Sequence, residues 1–297
     1  MDFLKCSYVN TWGLMYLCDV YNNDEKNIPW NFYLKTTDWD SLKPNSKIYI
    51  GLEYLTIFVC FFLYKIKVPF ILVTGHGDPD VMMGNVNLFN KLIDCEFLVK
   101  WYSQNCIYSN FDKLVHIPIG LDYHTMATIS NHAWGSKCSP TAQEYIIKKI
   151  KNNSIPTCNR LLKCFANFHF NKDNIRYSME RHDAIKQIPK SLIDYQEHFE
   201  EREKTWLEQV RYMFVVSPHG NGIDCHRTWE ALVLGCYPIV KRSGICSLFD
   251  DLPVVIIDDW SEITEDLLRQ KQQEFEKYHN CFNYDKLTLQ YWKNIIQ

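Results

Sequence analysis

The sequence predicts an α/β protein built from two Rossmann-like halves that face each other across a cleft. Three observations carry this expectation. A chain of 297 residues is long enough for two compact domains, each with its own core. Short apolar runs such as PFILVT (69–74) and YMFVV (212–216) show no alternation, the pattern of parallel strands covered on both faces. These runs alternate with segments of helical period and empty into glycine-bearing loops, the usual place for function in such sheets.

In chain order, Lys47–Ile50 reads as a strand, Glu53–Tyr64 as an apolar helix and Pro69–Thr74 as a strand ending at Gly75, together a βαβ unit. A helix at Asn87–Ile93 and strands at Glu96–Trp101 and Leu114–Pro118 complete a first half that reads as doubly wound. The stretch 130–159 is less apolar and carries Pro140 and Pro156 around a helix at Thr141–Lys151, so it reads as a connector. A second series follows: strand Leu161–Phe168, charged helices up to Val210, strand Tyr212–Val216, helix Arg227–Leu234, strand Tyr237–Lys241, strand Pro253–Ile257 and helix Ser261–Tyr278. The tail 284–296 reads as one more amphipathic helix. The expected division is 1–140, a connector 141–158, a second domain 159–280 and a bracing tail 281–297.

Composition excludes several function classes. With Lys+Arg at 32 against Asp+Glu at 35, the chain lacks the broad basic field of a nucleic-acid binder. The closest of the 12 cysteines, Cys158 and Cys164, are six apart and no CxxC or CxxH cluster occurs, so the thiols read as reduced packing residues of a cytoplasmic protein. The N-terminus lacks a secretory pattern, and the most apolar stretch, Leu55–Leu63, is about half a membrane span and reads as a buried helix. Aromatic residues at 15% suit sugar stacking.

The most informative segment is FVVSPHGNGIDCHRTWEALVLGCYPIVK (214–241). A buried strand runs into a loop with Gly220 and Gly222, then into a helix whose free N–H groups near Asp224–His226 form an anion site. Arg227 and Glu230 lie three apart on one helix face: a cation for a diphosphate beside a carboxylate for ribose hydroxyls. The blander alternatives are Asp224 as a helix N-cap and Arg227–Glu230 as a surface ion pair. Neither GxGxxG nor GxxxxGK[ST] is present, which disfavours nicotinamide and P-loop chemistry.

SPHGNGIDCHRTWEALVLGCYPIVKRSG, followed by LPVVIIDDWSEIT, resembles the donor-binding half of exostosin-like glycosyltransferases of the GT-B architecture. PFILVTGHGDPD, WYSQNC, KLVHIPIGLDYHT and KCFANFHFNKDNIRYSMERH agree with it, so the resemblance spans about residues 47–265 in pieces. It implies inverting transfer of a hexose or N-acetylhexosamine from a nucleotide-diphosphate sugar, a UDP-sugar first, to a hydroxyl of a glycan or glycoconjugate. By position Glu230 would hold the ribose, Arg227 the diphosphate, and His219, Gly220, Asn221, Gly222 and His226 would border the donor. Arg176 and Arg181 would add positive charge to the leaving group or stand as solvated helix charges.

The reaction also needs a base on the facing domain. Asp78, directly off a strand end, is the first candidate, with Asp122 and His124 second; Asp78 could equally hold a turn. The family often carries an acid where this chain has His76, a departure that bears on the base. Asp78-Pro79-Asp80 is also a literal DxD, the metal-chelating signature of the GT-A architecture. The expectation is nonetheless transfer with no metal and no cofactor beyond the nucleotide-sugar co-substrate, with arginines and a helix start neutralising the leaving group. The alternatives are a degenerate glycan- or nucleotide-binding protein and a metal-dependent transferase using Asp78 and Asp80. His116, His132, His169, His182, His198 and His279 are expected in structural or surface roles.

Overall fold

The structure, a computed structural model, describes residues 2–22, 28–78, 85–170, 178–198 and 200–296. The chain opens with α1 (Thr11–Tyr16) and α2 (Trp30–Thr36). It continues through β1 (Ser46–Gly51), α3 (Leu55–Phe61), β2 (Phe70–Gly75), α4 (Val86–Ile93), β3 (Leu98–Ser103) and β4 (Leu114–His116). All four strands are parallel, in the order β1-β2-β3-β4.

This order corrects the doubly wound expectation for the first half, because strands laid down in sequence have no reversal of direction. The apolar runs are nevertheless covered on both faces, as their lack of alternation predicts. Ile48, Ile50, Leu72 and Trp101 point into one core with Phe58, Val59, Phe89 and Leu92 of α3 and α4. Their neighbours Tyr49, Ile71, Val73 and Tyr102 point the opposite way, as the two-residue period of a strand requires. They share a second core with Leu14 of α1 and with Leu289, Trp292 and Ile296 from the chain's end. The second layer therefore comes from the termini. The apolar stretch at 55–63 buries one face only: Leu55, Phe58 and Val59 are inside, and Phe61 is 63% exposed.

A short helix α5 (His124–Thr128) and a two-residue hairpin, β5 (Asn131–His132) with β6 (Gly135–Ser136), lead to α6 (Pro140–Asn153). Ser139 caps α6 by accepting the Ala142 amide, with Pro140 in the first turn where its missing N–H costs nothing. The helix packs Ile147 and Ile150 into the core that also holds α1.

The second half comprises β7 (Leu161–Ala166), α7 (Ser178–Gln187), β8 (Ile193–Tyr195), α8 (Arg202–Gln209), β9 (Tyr212–Val216), α9 (His226–Val233), β10 (Tyr237–Lys241), β11 (Val255–Ile257) and α10 (Glu265–Lys277). Its sheet is parallel with order β11-β10-β9-β7-β8. Counted from β7 this is the 2-1-3-4-5 order of flavodoxin-like sheets, whose switch point lies between the first and third strands. Here that is the gap beyond Ala166 and Val216. The strand β8 falls inside the segment expected to be helical throughout; its three residues are too short to show a period.

The last helix, α11 (Leu289–Ile295), returns to the first half. The Tyr102 hydroxyl donates to the Ile295 carbonyl at 2.7 Å, and the Leu289 amide donates to the Ser7 carbonyl at 2.8 Å. The architecture is thus the expected α/β pair of Rossmann-like domains across a cleft, with one apolar cluster running between them through Ile119, Trp206, Trp229 and Leu248.

Candidate functional site

Two clefts open where the carboxyl ends of the sheets face each other. The larger-lined one, about 430 Å³, lies over the switch point of the second sheet and takes in Asn167, His169, Arg181, Arg202, Gly220–Gly222, Arg227 and Glu230. The other, about 600 Å³, lies over the first sheet and takes in Trp12, Trp30, Glu53, Tyr54, His76 and Thr128. Asp78, Ile119, His124 and His226 line both, so the clefts meet along a seam.

The loop before α9 is shaped by contact with the first half. At Gly222 an added Cβ would stand 2.7 Å from the Asn105 side-chain amide and 2.9 Å from the Asp78 carbonyl, so glycine there lets the two halves approach. Asn221 donates its side-chain amide to the Asp78 carboxylate at 3.1 Å, and the exposed Asp78 stands at the rim of both clefts. Asp224 is not the cap of α9; the N-cap position is Cys225. Its buried carboxylate accepts the Ile119 amide at 2.7 Å and the Trp229 indole N–H at 2.8 Å. Burial pushes its carboxyl up to about 6, against the pull of those donors.

Two guanidiniums overlook the switch point. Arg181 donates to the carbonyls of His219 and His169 at 3.1 and 2.5 Å. Arg227 lies over the Phe168 ring and contacts Ser217 and the Pro218 carbonyl at 3.4 and 3.3 Å. Burial first, and then the neighbouring positive charge of Arg181, press its pKa below the ordinary value. Glu180 fixes His219 through its backbone amide at 3.0 Å and its ring Nδ1 at 2.8 Å.

Glu230 is paired with a residue the sequence did not bring forward. Arg202, at the start of α8, donates to the Glu230 carboxylate, to the Asp122 carbonyl and to Gln143 Oε1 at 2.8 Å. Its guanidinium lies between the rings of Trp134 and Trp206, 5.1 and 4.6 Å from their centroids. The Trp206 indole donates to the second Glu230 oxygen at 2.9 Å. Nothing in the run ERE-K-T-W announces this, because the pairing joins segments distant in sequence. Arg176 and Asp80 lie outside the described residues.

Along the seam, three histidines and Trp12 are in ring contact. His124 stacks on Trp12, centroids 5.9 Å apart, and lies 5.6 Å from His76 and 5.7 Å from His226. His76, in a left-handed backbone conformation at φ 51°, accepts the Trp12 indole N–H on Nδ1 at 3.1 Å. His226 donates Nδ1–H to the Gly120 carbonyl at 2.7 Å, since a carbonyl can only accept. Asp122 is buried, accepting the Thr125 amide and hydroxyl at 2.9 and 2.7 Å, with His124 Nδ1 at 3.2 Å. Burial would raise its carboxyl, but His124, His226 and Arg202 hold it well below the usual range. Burial lowers the His124 imidazole to about 4 despite Asp122.

Of the histidines expected in structural or surface positions, His169 and His198 line the larger-lined cleft, and His116 ties the halves through Ser247 at 3.0 Å. None of the twelve cysteines is paired with another. No helix among the described residues is long and apolar enough to cross a membrane.

No family model and no curated protein matches this chain. Among solved structures, an α,α-trehalose 6-phosphate synthase from Burkholderia multivorans is similar over 99% of this chain and 80% of that one, at 10% identity and a TM-score of 0.40. That likeness is too loose to carry an argument about activity.

Proposed function

We propose that this chain is a GT-B-type glycosyltransferase that moves a sugar from a nucleoside-diphosphate donor, a UDP-sugar first, to a hydroxyl of a glycan or glycoconjugate with inversion. One observation carries the reading: a cleft at the switch point of one sheet and an aromatic cleft at the end of the other share Asp78, Ile119, His124 and His226. Two substrates bound in these clefts would meet at that seam, and proximity of this kind is a large part of a transfer enzyme's advantage.

In this reading Arg181 and Arg227 take the diphosphate: among the described residues their hydrogen bonds go to backbone carbonyls and the Ser217 hydroxyl, and a phosphate would give them charged acceptors. The start of α9, at His226 and Arg227, adds the positive end of its helix dipole. Glu230, held by Arg202 and Trp206, presents what remains of its acceptor capacity to the ribose hydroxyls. Trp12 and the stacked pair Trp30 and Tyr54, centroids 5.4 Å apart, give the cleft proposed for the acceptor sugar an apolar aromatic wall. Asp78 is the base that takes the acceptor proton. Asp122, buried and held by Thr125 beside His124, positions the seam instead.

The test is calorimetry with UDP followed by turnover with a panel of UDP-sugars. Asp78→Asn should bind UDP as the parent does and lose transfer by about two to four decades. A protein that binds no nucleotide diphosphate sinks the reading, and unchanged turnover in Asp78→Asn removes the base from that position.

A further inference from the structure

Asp122, His124 and His226 bring three potential ligand atoms within 4.8 Å of one another. Two come from the loop and helix start after β4, the third from the first turn of α9, so the cluster is completed only when the halves meet. We propose that it binds one divalent transition-metal ion, zinc or a first-row neighbour, through one carboxylate and two imidazoles. This does not depend on the glycosyl-transfer reading.

The donor set chooses the class of ion. Two imidazoles and a carboxylate suit zinc, cobalt, iron or manganese, whereas calcium and magnesium favour oxygen ligands throughout. One pair already stands at ligand spacing, since two atoms each about 2.1 Å from a common ion are roughly 3 to 3.4 Å apart, and a small closing shift of His226 would complete the set. His124 Nδ1 and Asp122 Oδ1 are separated by 3.2 Å.

The surroundings hold each ligand in a suitable state. The Nδ1–H of His226 is committed to the Gly120 carbonyl at 2.7 Å, which turns the lone pair to Nε2 and orients the ring, the usual arrangement behind a metal-bound imidazole. Thr125 fixes the Asp122 carboxylate with its amide and hydroxyl, at 2.9 and 2.7 Å. Trp12 packs flat on His124, with an interplanar angle of 14°. Arg202, a cation beside the cluster, donates to the backbone carbonyl of Asp122 and is balanced by Glu230, so it does not consume the Asp122 carboxylate. His124 and His226 line both clefts, so the cluster can be reached from the space between the two halves.

The experiment is a titration of the chelator-stripped full chain with Co²⁺, read by calorimetry and by visible absorption. Expected is one site per chain with nitrogen and oxygen ligand-field bands and no sulfur charge-transfer band, which separates it from uptake by the twelve cysteines. His226→Gln and Asp122→Asn should each abolish that site. Thr125→Val, which leaves all three ligands in place, should weaken it by about 10- to 100-fold. Circular dichroism of the metal-free variants checks that they fold, and UDP affinity on the same samples reports separately on the transferase reading. A parent protein without stoichiometric uptake, or a folded His226→Gln that binds Co²⁺ as tightly as the parent, overturns the proposal.

Discussion

The carboxylate of Asp224 accepts the backbone amide of Ile119 at 2.7 Å, so a side chain of the second half closes on the main chain of the first beside the seam. The same carboxylate receives the Trp229 indole at 2.8 and 3.0 Å, and Asn105 receives the Asp224 amide at 2.9 Å. Asp224→Asn would aim an amide donor at groups that are themselves donors. Leaving one of them unsatisfied in a buried place costs about 1–3 kcal/mol. Urea denaturation should show a lower midpoint by that amount; an unchanged midpoint would mean the contact holds nothing together.

The Arg202–Glu230 pair makes a second prediction, about what a Glu230 variant measures. Both side chains are largely buried, 5% and 13% exposed. Removing one partner strands the other, which typically costs about 3–5 kcal/mol in buried pairs. Glu230→Ala should therefore lose stability as well as UDP affinity, while Arg202→Met with Glu230→Gln should recover part of the stability without recovering UDP affinity. Strict additivity of the single changes in a double-mutant cycle would show that the pair is not coupled.

The glycines of the loop before α9 should differ in tolerance. At Gly222 a methyl group meets Asn105 and the Asp78 backbone under 3 Å, whereas at Gly220 it meets Cys225 Sγ at 3.1 Å and the flexible end of Arg181 at 3.2 Å. Gly222→Ala should cost about 1–3 kcal/mol, the scale of overpacking, and Gly220→Ala clearly less. Thermal unfolding of the two variants side by side decides it, and an equal loss would remove the argument that Gly222 exists for the approach of the halves.

Acid should loosen the attachment of the N-terminal segment. Burial would raise the Glu144 carboxyl, but Lys148 and the amides of Ser7 and Tyr8, at 2.6, 2.9 and 3.0 Å, outweigh it and lower the pKa from 4.5. A depressed carboxylate contributes stability that is present above its unfolded pKa and is lost as pH falls through the folded one. Glu180, held by His219, acts in the same direction. The unfolding free energy of the parent should thus decline below about pH 4.5, and Glu144→Gln should be less stable at neutral pH with a shallower decline. Denaturation curves collected across that range test it; parallel profiles would exclude Glu144 as a contributor.

Much of the local structure was legible. Phe70–Gly75 and Tyr212–Val216 fall on the apolar runs that announced them, α6 covers the helix expected at Thr141–Lys151, and α9 occupies the segment between Gly222 and Gly235. The strand β8 was hidden because three residues carry no period.

The sequence by itself determined the α/β class, the two halves and the loop that precedes α9, because hydrophobic period and turn chemistry act over a few neighbouring residues. The tertiary structure alone decided that the first sheet runs in sequential order and is roofed by α1 and α11. It also decided that Glu230 pairs with Arg202, and that Asp122, His124 and His226 converge at one point. Those outcomes depend on which surfaces of distant segments bury against each other, and no local pattern in the chain encodes the partner of a side chain that far away.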